Sequence, residues 1–270
     1  MKPEINELIG ISKYYGSNKE YVIAGGGNTS FKDEQTIWIK ASGQSLAELT
    51  EEGLVALSRE KLHLIPTNIY SDDPATREEQ VKADMFQCIL DTREKKCPSV
   101  ETSLHEIIKY KYIVHLHPTL INGLLCCRNA KNLTVKLFGE SVLFVPYTDP
   151  GYTLFKKLES EIILYREKFS HDPQIIFLEN HGSFVSANST EEIRKIYSSI
   201  IQKIEEQIHP VSEITPMPYN PLLHKVLPGL RVLLSGKQPG VIRFRNNSLI
   251  AKFYQNQQGI IKSHCLLHLI

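Results

Sequence analysis

Two apolar stretches that each run into histidine constrain this chain more than any other feature. In YIVHLHPTLING, residues 112–123, a β-branched run carries His115 and His117. In QIIFLENHGSFVSA, residues 174–187, a second such run reaches His181, followed by Gly182. Short runs of this composition bounded by turn residues read as strands, so the second is two strands broken at His181 and Gly182. Side chains two apart leave one face of a strand about 7 Å apart along it, so His115 and His117 share a face. Two imidazoles so placed can converge on one metal ion, or they can end a strand at the surface. Gly182 lets the backbone turn sharply, so that the His181 imidazole can point into a cleft as a third nitrogen.

The remaining pattern surrounds these strands with helices and hairpins. Residues 3–16 have the spacing of an amphipathic helix ending at Gly16. YVIAGGGNTSFKDEQTIWIKASG reads as two strands joined by a polar turn at Lys32 to Gln35. Leu46, Leu49, Leu54, Leu57 and Leu62 are spaced as in a helix over 46–62, and 75–90 follows the same pattern behind SDDPATREE. Pro98 and Ser99 open a helix leading into the histidine strand, and Pro118 permits another through about Cys127. ESVLFVPY is a strand, 151–168 a helix opened by DPG, and 190–208 a helix opened by the capping sequence NSTEE. Beyond the proline-rich HPVSEITPMPYNP comes a helix, then GVIRFRNNSLIAKFY as a strand, an Asn-Asn turn and a further short element. Hairpins interspersed with helices make a layered α/β domain rather than a strict βαβ series. GGGNTS is no dinucleotide fingerprint, because a strand and not a helix follows it.

Formal net charge is +1 over 270 residues. Bulk electrostatics therefore give no reason for a nucleic-acid or membrane-surface partner, and any anion must be bound locally. No run approaches the roughly 18 apolar residues of a membrane span. Five cysteines without a CxxC pair, and an N-terminus without a secretory apolar segment, are what is expected of a cytoplasmic chain.

Three histidines, two from one strand and one from a later strand end, match the ligand number of a catalytic zinc site. Glu101 stands at the start of the helix before the histidine strand. From there it can reach the cleft as a general acid or base, or lie solvated at a favourable helix terminus. Glu179 shares a strand face with His181, as a supporting group or an ordinary edge carboxylate, and His105 is assigned to packing. Small residues in GGGNTS and ASG leave backbone N–H groups open to an anion. Gly27, Asn28, Ser42, Gly43 and Ser99 would form such a cradle, with Lys40 as an added charge.

In this order, GGGNTS (25–30), IKASG (39–43), SVETSLH (99–105), IVHLHPT (113–119), VPYTDPG (145–151) and NHGSF (180–184) resemble the class II aldolase/adducin family over about residues 5–208. The resemblance implies a three-layer α/β/α domain with a central, mostly antiparallel sheet over 1–210. Residues 211–270 are expected to form a small C-terminal extension packed on that domain. It implies zinc, or another divalent ion, on His115, His117 and His181, with Glu101 as the acid/base. It also implies that Gly27, Asn28, Ser42, Gly43 and Ser99 bind substrate phosphate. Val100 stands where several such aldolases have a second serine. The implied reaction cleaves a ketose 1-phosphate, rhamnulose 1-phosphate or a relative, to dihydroxyacetone phosphate and an aldehyde, with Glu101 handling the proton at C3. The alternatives on the same metal site are a pentose-phosphate 4-epimerase or a sugar-phosphate dehydratase, and a noncatalytic adducin-like scaffold is the third. The family implies a homotetramer, and Tyr147 and Tyr152 are candidates for completing a neighbouring site. The tail is similar to the region following the aldolase part of bifunctional rhamnulose-phosphate aldolase/alcohol dehydrogenases.

Overall fold

Strands with apolar side chains on both faces need cover on both, and this chain provides it with two sets of helices. The computed structural model describes residues 2–23, 26–91, 96–208, 216–218, 221–234, 247–248 and 251. They fall into two compact units, 1–207 and 208–270. In the first, seven strands form one sheet in the order β3-β2-β1-β4-β7-β6-β5. Their ranges are β1 Asn28–Lys32, β2 Thr36–Lys40, β3 Leu54–Ser58, β4 Tyr112–Leu116, β5 Val142–Val145, β6 Ile175–Leu178 and β7 Gly182–Ala187. Every neighbouring pair is antiparallel except β5 with β6. This is the three-layer α/β fold with a mostly antiparallel sheet expected from the sequence.

Alternation along β4 shows how the layers form. Tyr112, Val114 and Leu116 enter a core with α1 (Pro3–Gly16), α5 (Thr119–Leu125), α6 (Ala130–Phe138) and α8 (Thr190–Glu205). Ile113 points the other way, into a core with α4 (Thr102–Ile107) and α7 (Tyr152–Phe169). On that face, α3 (Pro74–Gln87) and the short α2 (Arg59–Leu62) cover β2 and β3. His115 follows Ile113 by two and so faces α4, the helix that begins beside Glu101. Ser189 caps α8, its hydroxyl accepting the Glu192 N–H at 3.3 Å, as NSTEE anticipated.

Three expectations change. The 46–62 stretch is no helix: Leu54–Ser58 forms β3 along β2, and only Arg59–Leu62 is helical. The helix placed at Pro98 and Ser99 starts at Thr102, with Glu101 as its N-cap. Helix α6 had no counterpart in the sequence reading. In the second unit, α9 (Leu223–Leu234) is the expected tail helix, with Pro228 inside it, and Pro216 bridges Asn247. The strand and turn assigned to GVIRFRNNSLIAKFY lie outside the described residues, save Asn247, Ser248 and Ala251. Among the described residues no helix is long and apolar enough to cross a membrane.

Candidate functional site

Strand β4 delivers His115 from its buried face and His117 just past its end, while His181 sits immediately before β7. The two strands pair antiparallel, with Leu116 opposite Ser183, which brings the three rings together. Their centroids are 4.8 Å (115 to 117), 5.0 Å (115 to 181) and 5.1 Å (117 to 181) apart. One ligand nitrogen from each ring lies within 4.8 Å of those of the other two, and the Nε2 atoms of His115 and His117 are 3.0 Å apart.

The surroundings decide which nitrogens are free. His115 Nδ1 is 3.2 Å from the Ser183 carbonyl oxygen. A carbonyl only accepts, so Nδ1 carries the proton and Nε2 keeps its lone pair for the common centre, the arrangement usual for a metal-binding imidazole. Phe184 stacks on the same ring at 4.2 Å. Asn122 Nδ2 donates to the His181 carbonyl at 3.1 Å, fixing the chain where His181 leaves it. Burial pushes His115 well below the ordinary imidazole range and lowers His117 and His181 as well. Neutral imidazoles are the form a cation needs. Three converging, uncharged nitrogen donors fit a borderline divalent ion such as zinc.

Two backbone details bring the rings into contact. The sharp turn falls at Asn180, whose φ is +57°. Gly182 acts differently from the sequence expectation: a Cβ there would lie 2.5 Å from His117 Cδ2 and 2.6 Å from the Leu116 carbonyl oxygen. It provides room for the His117 ring.

Glu101 joins this group. Its Oε1 is 3.3 Å from His115 Nε2 and 3.5 Å from His181 Nε2, and its Oε2 accepts from Asn28 Nδ2 at 2.5 Å. Burial raises its pKa, opposed first by the adjacent His181 ring, then by the Asn28 hydrogen bond and the Lys40 charge. Asn28 stands opposite His115 in the β1–β4 ladder, which is why it lies beside Glu101.

The other candidates divide. Asn28 Nδ2 also donates to Ser99 Oγ at 3.2 Å, so Asn28 serves Glu101 and Ser99, while Gly27 precedes it with φ +74°. Ser42 N–H is taken by the Cys97 carbonyl at 2.9 Å, which ties the Ser42–Gly43 turn to the segment of Ser99. Glu179 accepts the Tyr147 N–H at 2.9 Å and makes no ion pair with a histidine among the described residues. Tyr147 is exposed and bonds Asp149, and Tyr152 packs on Tyr70 and Phe155. His105 is fully buried, its Nδ1 2.7 Å from Ser30 Oγ and its ring edge-on to Phe184. It backs the ring that backs His115. Sequence reasoning gave no role to Asn122, or to Ser183 and Phe184 although both lie in NHGSF, because they act through an amide, a carbonyl and a stacked face.

The sequence matches the Class II Aldolase and Adducin N-terminal domain over residues 6–207. The fold is similar to the N-terminal class II aldolase domain of a conserved protein from Thermoplasma acidophilum, with TM-score 0.65, 23% identity, and coverage of 77% of this chain and 95% of that one. It is also similar to an L-fuculose 1-phosphate aldolase, with TM-score 0.51, 17% identity, and coverage of 94% and 98%. A relative from Bacillus subtilis (strain 168), the uncharacterized oxidoreductase YuxG, is 26% identical over 278 residues. That alignment takes in 94% of this chain, which spans 38% of the relative's length.

Proposed function

The chain belongs to the class II aldolase and adducin family, and from that premise we propose that it is a divalent-metal-dependent lyase. On this reading it reversibly cleaves a ketose 1-phosphate, rhamnulose 1-phosphate or a close relative, to dihydroxyacetone phosphate and an aldehyde. The carrying observation is the gathering of the His115, His117 and His181 nitrogens around one point, with Glu101 Oε1 3.3 and 3.5 Å from two of them. An interaction scaffold has no need of a half-buried carboxyl group held against two of three converging imidazoles.

His115, His117 and His181 would hold the ion, which when bound supplies Lewis acidity to a substrate carbonyl oxygen and stabilises charge accumulating there as the neighbouring C–C bond breaks. The protein's own groups handle the protons. In cleavage the C4 hydroxyl loses its proton to a base, the C3–C4 bond breaks, and C4 leaves as the aldehyde. The electron pair stays on the C3 side, and Glu101 delivers a proton to C3. Its raised pKa suits a group that must both carry and release a proton. Asn28 fixes the carboxyl orientation through Oε2, leaving Oε1 towards the reacting region. Gly27, Gly43 and Ser99 supply neutral donors for the phosphate.

Purified protein should hold about one zinc or other divalent ion per chain by elemental analysis. It should release dihydroxyacetone phosphate from rhamnulose 1-phosphate in a coupled glycerol-phosphate dehydrogenase assay. Absence of both metal and product across a panel of ketose phosphates would overturn the reading. Epimerised or dehydrated products from the same panel would reassign the reaction while keeping the metal site. Light scattering tests the accompanying expectation of a homotetramer.

A further inference from the structure

Polar side chains in a buried strand are costly unless each meets a partner. Along one face of β1, Asn28, Ser30 and Lys32 are all polar, and none is more than 5% exposed. Residues two apart leave the same face of a strand, so the three form a row about 13 Å long. The row runs beside α4 and meets it at three levels. Asn28 Nδ2 donates to the Glu101 carboxyl at 2.5 Å, at the helix start. Ser30 Oγ is 2.7 Å from His105 Nδ1, a turn further on. Lys32 Nζ donates to the carbonyls of His105 at 2.8 Å, Glu106 at 2.7 Å and Ile108, where the helix ends.

These last carbonyls have no partner within the helix. Burial draws the Lys32 pKa down to about 7. Three carbonyls around one nitrogen nonetheless call for three N–H groups, which the ammonium has and the amine lacks. The same end of α4 is held a second time. Arg59 Nε of α2 donates to both carboxyl oxygens of Glu106, at 2.8 and 3.1 Å, and His63 Nε2 lies 2.9 Å from Glu106 Oε1. A helix of six residues is not stable alone, so its place is set by what holds it. Leu104 and Ile108 bury it against the core, but apolar contact is non-directional and tolerates sliding. Hydrogen bonds at three levels along one strand admit a single placement. Glu101 is the N-cap of α4, so its carboxyl goes wherever the helix goes.

We propose that Lys32 and Ser30 are positioning residues for Glu101, fixing α4 along β1 so that the carboxyl meets His115 and His181. This rests on the reading of Glu101 as the group that moves the proton at C3. Neither residue touches the histidines or the reacting atoms. Their cost in burying polar groups is offset in placement rather than in stability.

The test compares wild type with Lys32→Met and with Ser30→Ala. Should Lys32→Met fail to fold, Ser30→Ala, which removes one hydroxyl, decides alone. Ser189→Ala is the control for a purely structural loss, since it weakens the fold at the α8 cap. Four readouts are taken on zinc-loaded protein: kcat and KM for rhamnulose 1-phosphate, exchange of solvent deuterium into C3 of dihydroxyacetone phosphate, zinc content, and the crystal structure. Misplacement by about 1 Å costs up to about a hundredfold. Turnover and C3 exchange should therefore fall by about tenfold to a hundredfold, with KM within about twofold and zinc content unchanged. In the crystals Glu101 Oε1 should leave its place 3.3 Å from His115 Nε2 by about 1 Å or more, while the three histidines keep theirs. Glu101 in its wild-type place in the variant crystals would overturn the proposal. So would losses matched by Ser189→Ala, or zinc lost together with turnover. If wild type neither cleaves the sugar phosphate nor exchanges the C3 proton, the aldolase reading fails, and the position of Glu101 in the crystals still decides this assignment.

Discussion

Replacing Gly182 by alanine places one methyl group in space that the His117 ring occupies. The added Cβ would lie 2.5 Å from His117 Cδ2, 2.6 Å from the Leu116 carbonyl oxygen and 3.3 Å from His115 Cε1. Carbon atoms rest at about 3.5–4.0 Å, so the ring must retreat by about 1 Å. The Leu116 oxygen belongs to β4 and has little freedom to follow. Overpacking of this kind costs about 1–3 kcal/mol. At about 2–4 °C per kcal/mol for a domain of this size, metal-free protein should melt about 2–12 °C lower. The effect on metal should be larger, since a zinc–nitrogen bond of about 2.0–2.1 Å does not tolerate such a displacement. Zinc affinity should fall at least about tenfold, the lower range seen when a ligand's supports are disturbed. Circular dichroism melts and competition against a chelating indicator measure the two effects. Gly10→Ala is the control, because Gly10 is on the exposed side of α1 and nothing lies within 4 Å of its added Cβ. That change should stabilise by about 0.5–1 kcal/mol. A Gly182→Ala protein that binds zinc like wild type and melts with it would refute the claim that this glycine makes room for the ring cluster.

Glu101→Gln keeps the shape of the side chain and removes its proton chemistry, so zinc should stay bound while turnover falls by about a hundredfold or more. Turnover near the wild-type rate would remove Glu101 from the mechanism. His105 provides a pH test: burial first, and the Lys32 charge second, draw it from 6.5 down to about 3. Between those values the unfolded chain binds a proton that the fold refuses. Stability is undiminished above pH 6.5 and falls by about 1.4 kcal/mol per pH unit on acidification through the window. His105→Gln should remove that share of the slope, and parallel urea-melt series for the two proteins would contradict it. Ser189→Ala deletes the α8 cap on Glu192 N–H and should cost about 1 kcal/mol in urea melts, with no change in zinc content.

The parts of the fold legible in the sequence are those written in local chemistry. The turn between β1 and β2 could be placed because Asp33 makes it: its Oδ1 accepts the N–H groups of Gln35 and Thr36 at 2.9 and 2.8 Å. The Leu54–Ser58 strand could not. Its leucines stand at spacings that fit a helix, and its true state depends on pairing with β2, from Thr36 opposite Ser58 to Lys40 opposite Leu54. Tertiary pairing overrides local spacing there. Helix α6 was missed for a related reason: only Ala130, Thr134 and Phe138 of its residues are buried, a narrow stripe with a polar member.

The site was legible to the extent that one strand carried its own ligands. His115 and His117 announce themselves by their spacing, whereas Glu101 was placed by resemblance more than by any pattern around it. What no local pattern could supply is the register that joins them. With Leu116 opposite Ser183, the next antiparallel step sets His117 against Gly182 and brings His181 alongside. On the other flank, Asn28 opposite His115 sets its amide against the Glu101 carboxyl. A slip of one residue between β4 and either neighbour would turn the wrong face of the strand towards α4 and disperse the cluster. The residues that prevent such a slip are the apolar ones on both faces of β4, Ile113 on one side and Val114 and Leu116 on the other, all fully buried. The chemistry of the histidines is therefore maintained by side chains that take no part in it.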